Sequence, residues 1–343
     1  MKYMVNSIVI REVRKGGAES LVELYALVGW RLDMEHTAEI IRYSMSSGYS
    51  KVLVADLNGK IVGKVTLDTV FQPYAEIVNV IVHPDYQGKG IGSMLVKECI
   101  SRAIQAGHNI IYLMCDPLDR GVHRFYAKLG FLPAMLGDPS MPHGCVWLYY
   151  FGEGSFVREF LHEHPFAEFS VSRGIKSFHG LSLYSMTWID PISDNSLEVF
   201  IKGQPGQPLK GGTMPRIGGV RLRLNKLNID CWIVERDEDI NIGEPGRFQL
   251  SLLNKGSETL DVYLSLVPAP HGISVSIGPP SEILLRPKER IDIEEELTLT
   301  SEFSIPLKYL SFPTVVSSIT LKLSSFMRVI ISVGFNITEC TRS

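Results

Sequence analysis

Two rhythms of apolar and polar residues divide the sequence near residue 152. Upstream, runs that alternate every second residue are interleaved with runs that repeat every three or four. Ser7–Val13 alternates and predicts a strand. Gly17–Val28 and Asp33–Ser47 repeat at helical spacing and predict helices. KVLVADLNGKIVGKVTL, Lys51–Leu67, holds two alternating runs about Asn58-Gly59, the signature of a hairpin with a type I′ turn. Glu76–Val82 predicts another apolar strand. Gly92–Gln105 predicts a helix with Met94, Leu95, Cys99 and Ile100 on one face and Gly107 at its C′ position. Asn109–Met114 reads as a buried strand, Val122–Leu129 as a helix ended by Gly130, and Cys145–Phe151 as a further strand. This order predicts an α/β (α+β) domain over residues 1–152, with a mixed central sheet that begins antiparallel and has a βαβ-like middle.

Downstream, helical spacing almost disappears. In a β-rich connector, residues 153–230, Phe156–His162 predicts a short helix, and Gly180–Trp188, Leu197–Lys202 and Val220–Leu224 predict strands. Lys202–Gly219, KGQPGQPLKGGTMPRIGG, carries so many glycines and prolines that it predicts a loop, either linker or binding loop. Residues 231–343 are all strand: GRFQLSLLN, LDVYLSLV, ISVSI, IDIEEELTLT and FMRVIISVGFNI alternate between Gly, Pro, Asn and Ser turns, which predicts a β-sandwich. Over Ile240–Thr300 the succession of strand, N-x-G, strand and Pro turn resembles Ig-like sandwich modules. That resemblance implies a contact surface for a protein partner rather than chemistry.

Composition changes this picture little. The 343 residues exceed one ordinary core, and 45% hydrophobic with 21% charged residues is a globular balance. A net charge of −3 gives no general case for nucleic acid or an anionic membrane. Cys99, Cys115, Cys145, Cys231 and Cys340 are odd in number and widely spaced, which argues against a disulfide framework and a metal site. The N-terminus lacks the apolar core of a signal peptide and no apolar run reaches membrane-spanning length, so a cytoplasmic location is expected.

The chemistry is concentrated in VIVHPDYQGKGIGSMLVKECI, Val80–Ile100. Gly88, Gly90 and Gly92 do not give the spacing of a P-loop, and the third glycine of a dinucleotide motif would fall on Ser93. What remains is a Q-x-x-G-x-G turn, Gln87-Gly88-Lys89-Gly90-Ile91-Gly92, between a strand and a helix. Such a turn can aim successive N–H groups and a helix N-terminus at one anion, with Lys89 as an added cation. The glycines alone leave that reading and a simple packing turn equally open.

The surroundings separate the two. VNVIVHPDYQGKGIGSMLVKECISRAI followed by IIYLMCDPLDRGVHRFYAKLGFLPA resembles the GNAT superfamily of N-acetyltransferases over about residues 7–151. The second segment carries the family ending Phe125-Tyr126-Ala127-Lys128-Leu129-Gly130-Phe131. The resemblance implies acetyl-CoA as co-substrate with no metal, and direct transfer to a primary amine of a small molecule or protein. It implies that the amides of Gln87, Gly88, Lys89, Gly90, Ile91, Gly92 and Ser93 hold the diphosphate, and that Val80, Ile81 and Val82 hold the pantetheine arm. It implies Tyr126 as the acid that protonates the departing thiolate. Glu76 is the candidate base, by an offset from Gln87 like that of the glutamate in histone-type members, with Asp116 behind it. A partly desolvated carboxylate there suits proton removal, directly or through water.

The sequence also departs from the family. Asp119 stands where an asparagine amide often helps to hold the cofactor, and Arg120 and His123 replace small residues. Cys115 reads as a buried thiol, His83 as a turn histidine, and Trp147, Tyr149 and Tyr150 as packing of the last sheet strand. Arg216, Arg221 and Arg223 read as a solvated strand face. The rival function is a non-catalytic acyl-CoA-binding or interaction protein. The acceptor depends on the loops at Gly29–Asp33, Phe71–Ala75 and Gly137–Gly144, and it and the oligomeric state are not written in the pattern.

Overall fold

The hairpin signal at Asn58-Gly59 seeds the first sheet. In the computed structural model, which describes residues 8–135, 146–204, 213–276, 282–324 and 327–338, strands β2 (Ser50–Leu57) and β3 (Lys60–Asp68) pair antiparallel across it. Asn58 and Gly59 take φ of 51° and 91°, the left-handed pair that a type I′ turn requires. β1 (Ile8–Glu12) adds antiparallel to β2, and β4 (Tyr74–Val82) antiparallel to β3. β5 (Ile110–Cys115) then pairs parallel to β4. The predicted strands and helices of this region are all present, within a few residues. Residues 1–7 and 136–145 lie outside the described residues, and with them Cys145 and the Gly137–Gly144 loop.

The chain divides into two compact units, Met1–Leu113 with Lys128–Gly130, and Met114–Ala127 with Phe131–Ser343. In the first, α1 (Ala18–Leu27) and α2 (Met34–Ser46) cover one face of the sheet. Asp33 caps α2, its Oδ1 accepting from the His36 amide at 2.7 Å. Leu21, Leu24, Tyr25 and Ile41 pack there on Val52, Val54 and Ile81. α3 (Ile91–Gln105) covers the other face. A side chain at Gly63 would come within 3.1 Å of Leu95 and 3.3 Å of Ile91, so β3 and α3 approach closely. Leu95, Cys99 and Ile100 are buried as expected, joined by Val96 and Ala103, while Met94 is only half-buried.

The second unit is mostly strand. α4 (Arg120–Ala127) and α5 (Phe156–Glu163) are its helices. β6 (Leu132–Pro133) pairs with β7 (Val146–Phe151). A nine-stranded sheet contains β8 (Glu168–Val171), β9 (Lys176–Phe178), β10 (Leu181–Ile189), β11 (Ser196–Gln204), β12 (Thr213–Leu224) and β13 (Leu227–Glu235). β14 (Asp239–Ile240) starts a second sheet before β15 (Pro245–Asn254) returns to the first. β16 (Leu260–Leu266), β18 (Glu282–Leu285), β20 (Thr314–Leu323) and β21 (Met327–Ile337) belong to the five-stranded sheet. β17 (Ile273–Ser276) and β19 (Arg290–Leu299) complete the larger one. β8, β9, β13, β14, β18 and β20 were not singled out by the alternation, and residue 230 falls inside β13.

Two expectations need correction. Lys202–Gly219 is not a loop throughout, because β11 runs to Gln204 and β12 starts at Thr213; residues 205–212 lie outside the described residues. The breakers sit where the pairing is already irregular. The β11–β12 register slips between Phe200 and Ile201 and again between Lys202 and Gln204, opposite Gly218 and Pro215 respectively. Arg216 is likewise not solvated. It is 4% exposed and donates to Glu235 at 2.8 Å and to the Gly334 carbonyl of β21 at 3.1 Å. Lys202 is a second partner of Glu235. This ion cluster ties β11, β12 and β13 to β21, and the two cations hold the Glu235 carboxyl below its usual range despite burial. Arg221 is half-buried and pairs with Asp230 and Glu198, and only Arg223 is exposed as expected.

Removing the anion from that cluster strands two cations. Glu235→Ala is expected to destabilise the second unit by about 3–5 kcal/mol in urea unfolding of the full chain. A loss below about 1 kcal/mol, the range of an exposed pair, would show that the cluster does not hold the sheets together.

Candidate active site

Between β3 and β4 the pairing is uneven. Lys64 faces Ile81 and Thr66 faces Val78, so one residue of β3 opposes Asn79 and Val80 of β4. This is a β-bulge, and Asn79 takes the left-handed conformation at φ 56°. A polar turn-former in an apolar strand was its readable signal. On the other edge of β4, the register with β5 covers Tyr74–Ile110, Ala75–Ile111 and Glu76–Tyr112 and is not continued beyond, among the described residues. Val78, Val80 and Val82 are half-buried, Asn79 is exposed and Ile81 is buried. Among the described residues, no strand pairs with that edge of β4 after Glu76.

That edge leads into the glycine turn. A single 3₁₀ turn, Pro84–Tyr86, follows β4, and the Gln87 side chain donates back to the Val82 carbonyl at 3.1 Å. Gly88 and Gly90 take φ of 69° and 85°, with open space where a side chain would stand. These conformations, rather than crowding, are why glycine is needed there. Gly90 is the N-cap of α3, no side chain caps the helix, and its first turn holds no acidic residue. Ile91 is buried, while Gly92 and Ser93 are half-buried. Lys89 folds onto the turn, its Nζ donating to the Asp85 carbonyl at 2.6 Å and lying 4.8 Å from the Tyr86 ring centroid. His83 is a turn residue as expected, its Nδ1 accepting from the Asp85 amide at 3.2 Å.

Glu76 is 6% exposed, and Tyr112 donates to its Oε2 at 3.3 Å. Tyr112 escaped sequence reasoning because only strand register brings it beside Glu76. Val80–Val82, Gln87–Ser93 and Glu76 all belong to the first unit, whereas Asp119 and Tyr126 belong to the second.

In the second unit, Asp119 caps α4, its Oδ1 accepting from the amides of Gly121 at 2.9 Å and Val122 at 3.0 Å. Both Asp and Asn present such an oxygen, so the departure from the family residue leaves this cap intact. Tyr126 is 7% exposed and packs edge-on against Phe125 and Phe131, with centroids 4.9 and 5.5 Å away. Cys115 is buried, yet it has a neighbour that spacing did not disclose. His123 Nε2 lies 3.6 Å from its Sγ and 2.9 Å from the Asp116 carbonyl. Trp147 and Tyr149 are fully buried and Tyr150 half-buried against Phe131, as expected of packing residues. Among the described residues, no helix is long and apolar enough to cross a membrane, and no three His, Cys, Asp or Glu side chains are grouped to hold a metal ion.

The cap makes a direct prediction. Asp119→Ala is expected to cost about 1 kcal/mol and Asp119→Asn close to nothing, read from hydrogen exchange of the α4 amides. Equal exchange in both variants would contradict the capping role.

The model of the Acetyltransferase (GNAT) family matches residues 19–131. An uncharacterized N-acetyltransferase, ycf52, of Pyropia yezoensis is 33% identical over 129 residues, covering 37% of this chain and 69% of that protein. An uncharacterized N-acetyltransferase of Methanocaldococcus jannaschii is 28% identical over 140 residues; the chain spans 62% of its length. Among solved structures, the PaiA N-acetyltransferase of Thermoplasma acidophilum in complex with coenzyme A aligns with 42% of this chain and 99% of its own, at 20% identity and a TM-score of 0.36. The ribosomal-protein-S18-alanine N-acetyltransferase of Escherichia coli aligns with 43% and 97%, at 17% identity and a TM-score of 0.37. On the family model and the Pyropia yezoensis relative, the chain belongs to the GNAT acetyltransferase family.

Proposed function

We propose that the protein is an acetyl-CoA-dependent N-acetyltransferase that acts on a primary amine, of a small molecule or of a protein, by direct attack in a ternary complex. The observation that carries this reading is the open edge of β4 running straight into the Gly88–Gly90 turn. One feature suits an extended amide-bearing arm and the other a diphosphate, and coenzyme A contains both in that order.

In this reading Val80, Ile81 and Val82 pair with the pantetheine arm as an added strand. The amides of Gln87, Gly88, Lys89, Gly90, Ile91, Gly92 and Ser93 receive the diphosphate, helped by about half a positive charge at the start of α3. Lys89, held beside the turn by the Asp85 carbonyl, adds a full charge. Asp119 contributes through the helix it caps. An amide near Val80 or Ile81 stabilises the oxyanion.

A lysine-like amine is only about one part in 10³ neutral at pH 7. Glu76 takes its proton, directly or through water. The amine nitrogen then attacks the thioester carbonyl carbon, the second proton of that nitrogen passes to water, and the carbon–sulfur bond breaks as the tetrahedral intermediate collapses. Tyr126 gives its phenolic proton to the leaving thiolate and recovers one from solvent. β12 and β13 of the larger sheet lie against β21 of the five-stranded one, which supports an Ig-like sandwich whose role is a contact with a protein partner. A cytoplasmic enzyme is the corresponding expectation.

Calorimetry with acetyl-CoA, followed by a coenzyme A release screen over amines and peptides, tests the reading. Tyr126→Phe is expected to bind acetyl-CoA like the wild type while kcat falls about 100-fold. Unchanged turnover would remove Tyr126 from the mechanism. Coenzyme A binding without turnover on any acceptor would favour a non-catalytic acyl-CoA-binding protein.

A further inference from the structure

Lys60 opens β3 directly after the Asn58-Gly59 turn. The His83 amide donates to the Val62 carbonyl at 3.0 Å, which ties the 3₁₀ turn after β4 to the start of β3. Ile61 packs in the cluster under α1 and α2. Side chains alternate along a strand, so Lys60 projects to the opposite face of the sheet, the one that α3 covers. There its Nζ lies 5.5 Å from the centroid of the Tyr86 ring.

Lys89 approaches the same ring, with Nζ 4.8 Å from the centroid. The ring is a fixed platform. The Tyr86 amide donates to the His83 carbonyl at 2.9 Å, and the His83 ring meets the phenol edge-on with centroids 5.2 Å apart. One aromatic ring beside the glycine turn therefore holds two cations.

Among the described residues, no carboxylate balances them. Asp85 of the same turn is exposed and reaches only His83, 4.0 Å from its Nδ1. Asp56, across the hairpin, is engaged elsewhere: its Oδ2 accepts from Arg11 at 2.6 Å and its Oδ1 from the Gly59 amide at 2.6 Å. The first turn of α3 has no acidic residue. Lys89 donates to the Asp85 carbonyl, and Lys60 makes no hydrogen bond or ion pair among the described residues. A cation–π contact at an exposed site is weak, and each ammonium keeps N–H donors to offer. Two like charges gathered without a counter-charge suit an anion of more than one charge.

Coenzyme A carries such a group. Beyond its amide arm and diphosphate it ends in an adenosine whose ribose bears a 3′-phosphate, with close to two negative charges and three acceptor oxygens. In the proposed site the arm lies along β4 and the diphosphate on the glycine turn, which leaves the 3′-phosphate unplaced.

We propose that Lys60, with Lys89 beside it on the Tyr86 ring, binds the 3′-phosphate of coenzyme A and makes the protein select coenzyme A over 3′-dephospho-coenzyme A. This rests on the reading of the glycine turn as a coenzyme A site. Lys89 stands between the two phosphate groups and serves both. Lys60 is a binding and specificity residue that touches no reacting atom.

Calorimetry of the full chain with coenzyme A and with 3′-dephospho-coenzyme A tests the assignment. The wild type is expected to bind coenzyme A about tenfold more tightly, the worth of one hydrogen bond to a charged group. In Lys60→Gln the affinity for coenzyme A is expected to fall about tenfold, while that for 3′-dephospho-coenzyme A stays within about twofold. Lys60→Arg keeps the cation and is expected to keep the preference. Lys60 is exposed, so neither substitution threatens the fold. Lys97→Gln removes another exposed charge further along α3 and is expected to leave the preference intact, which separates a contact from general attraction. Equal wild-type affinity for the two ligands, equal weakening of both in Lys60→Gln, or the same loss in Lys97→Gln would overturn the proposal. A wild type that binds neither ligand contradicts the coenzyme A reading itself, whereas one that binds both alike contradicts the role of Lys60 alone.

Discussion

Backbone N–H and C=O groups in a sheet need partners, and β4 offers its own without filling them all. Its pairing with β5 covers Tyr74–Glu76 and is not continued beyond, among the described residues, while the bulge at Asn79 distorts its other edge. The rest of the candidate site depends on that interruption. On that edge Val80–Val82 meet no described strand, and Glu76 stands at the last paired position, buried beside Tyr112. The glycine turn continues the logic, since Gly88 and Gly90 hold left-handed conformations that other residues adopt at a cost.

The second unit obeys a different constraint. Its two sheets meet around a buried charge cluster, Arg216, Glu235 and Lys202, rather than around apolar side chains alone. Gly246 of β15 shows how close the approach is, since a side chain there would lie 3.0 Å from the Phe335 ring of β21. Most of this unit lies beyond the residues matched by the family model, which ends at 131.

Local patterns in the sequence disclosed much of the first unit. The hairpin turn, the helix faces and the glycine turn are all written in residues near one another in the chain. What stayed hidden depends on register between distant segments. Ser50, Asp68, Glu76 and Tyr112 are spread over more than sixty positions and meet only through three strand pairings. Arg216 looks like an exposed strand residue until β21 is folded against β12. Lys202–Gly219 looks like a loop because glycine and proline are ambiguous, and only the slipped register shows that a strand can hold them. Cys115 and His123 are eight residues apart, but the turn between β5 and α4 is what brings sulfur and ring nitrogen together.

One ligand received by both the β4 edge and the glycine turn would shield the backbone of both. Amide hydrogen exchange of the full chain, with and without coenzyme A, tests it residue by residue. New protection is expected at amides within Val78–Val82 and Gly88–Ser93, with little change in β2 or in the second-unit sheets. Binding without protection at both segments, or protection centred elsewhere, would contradict it.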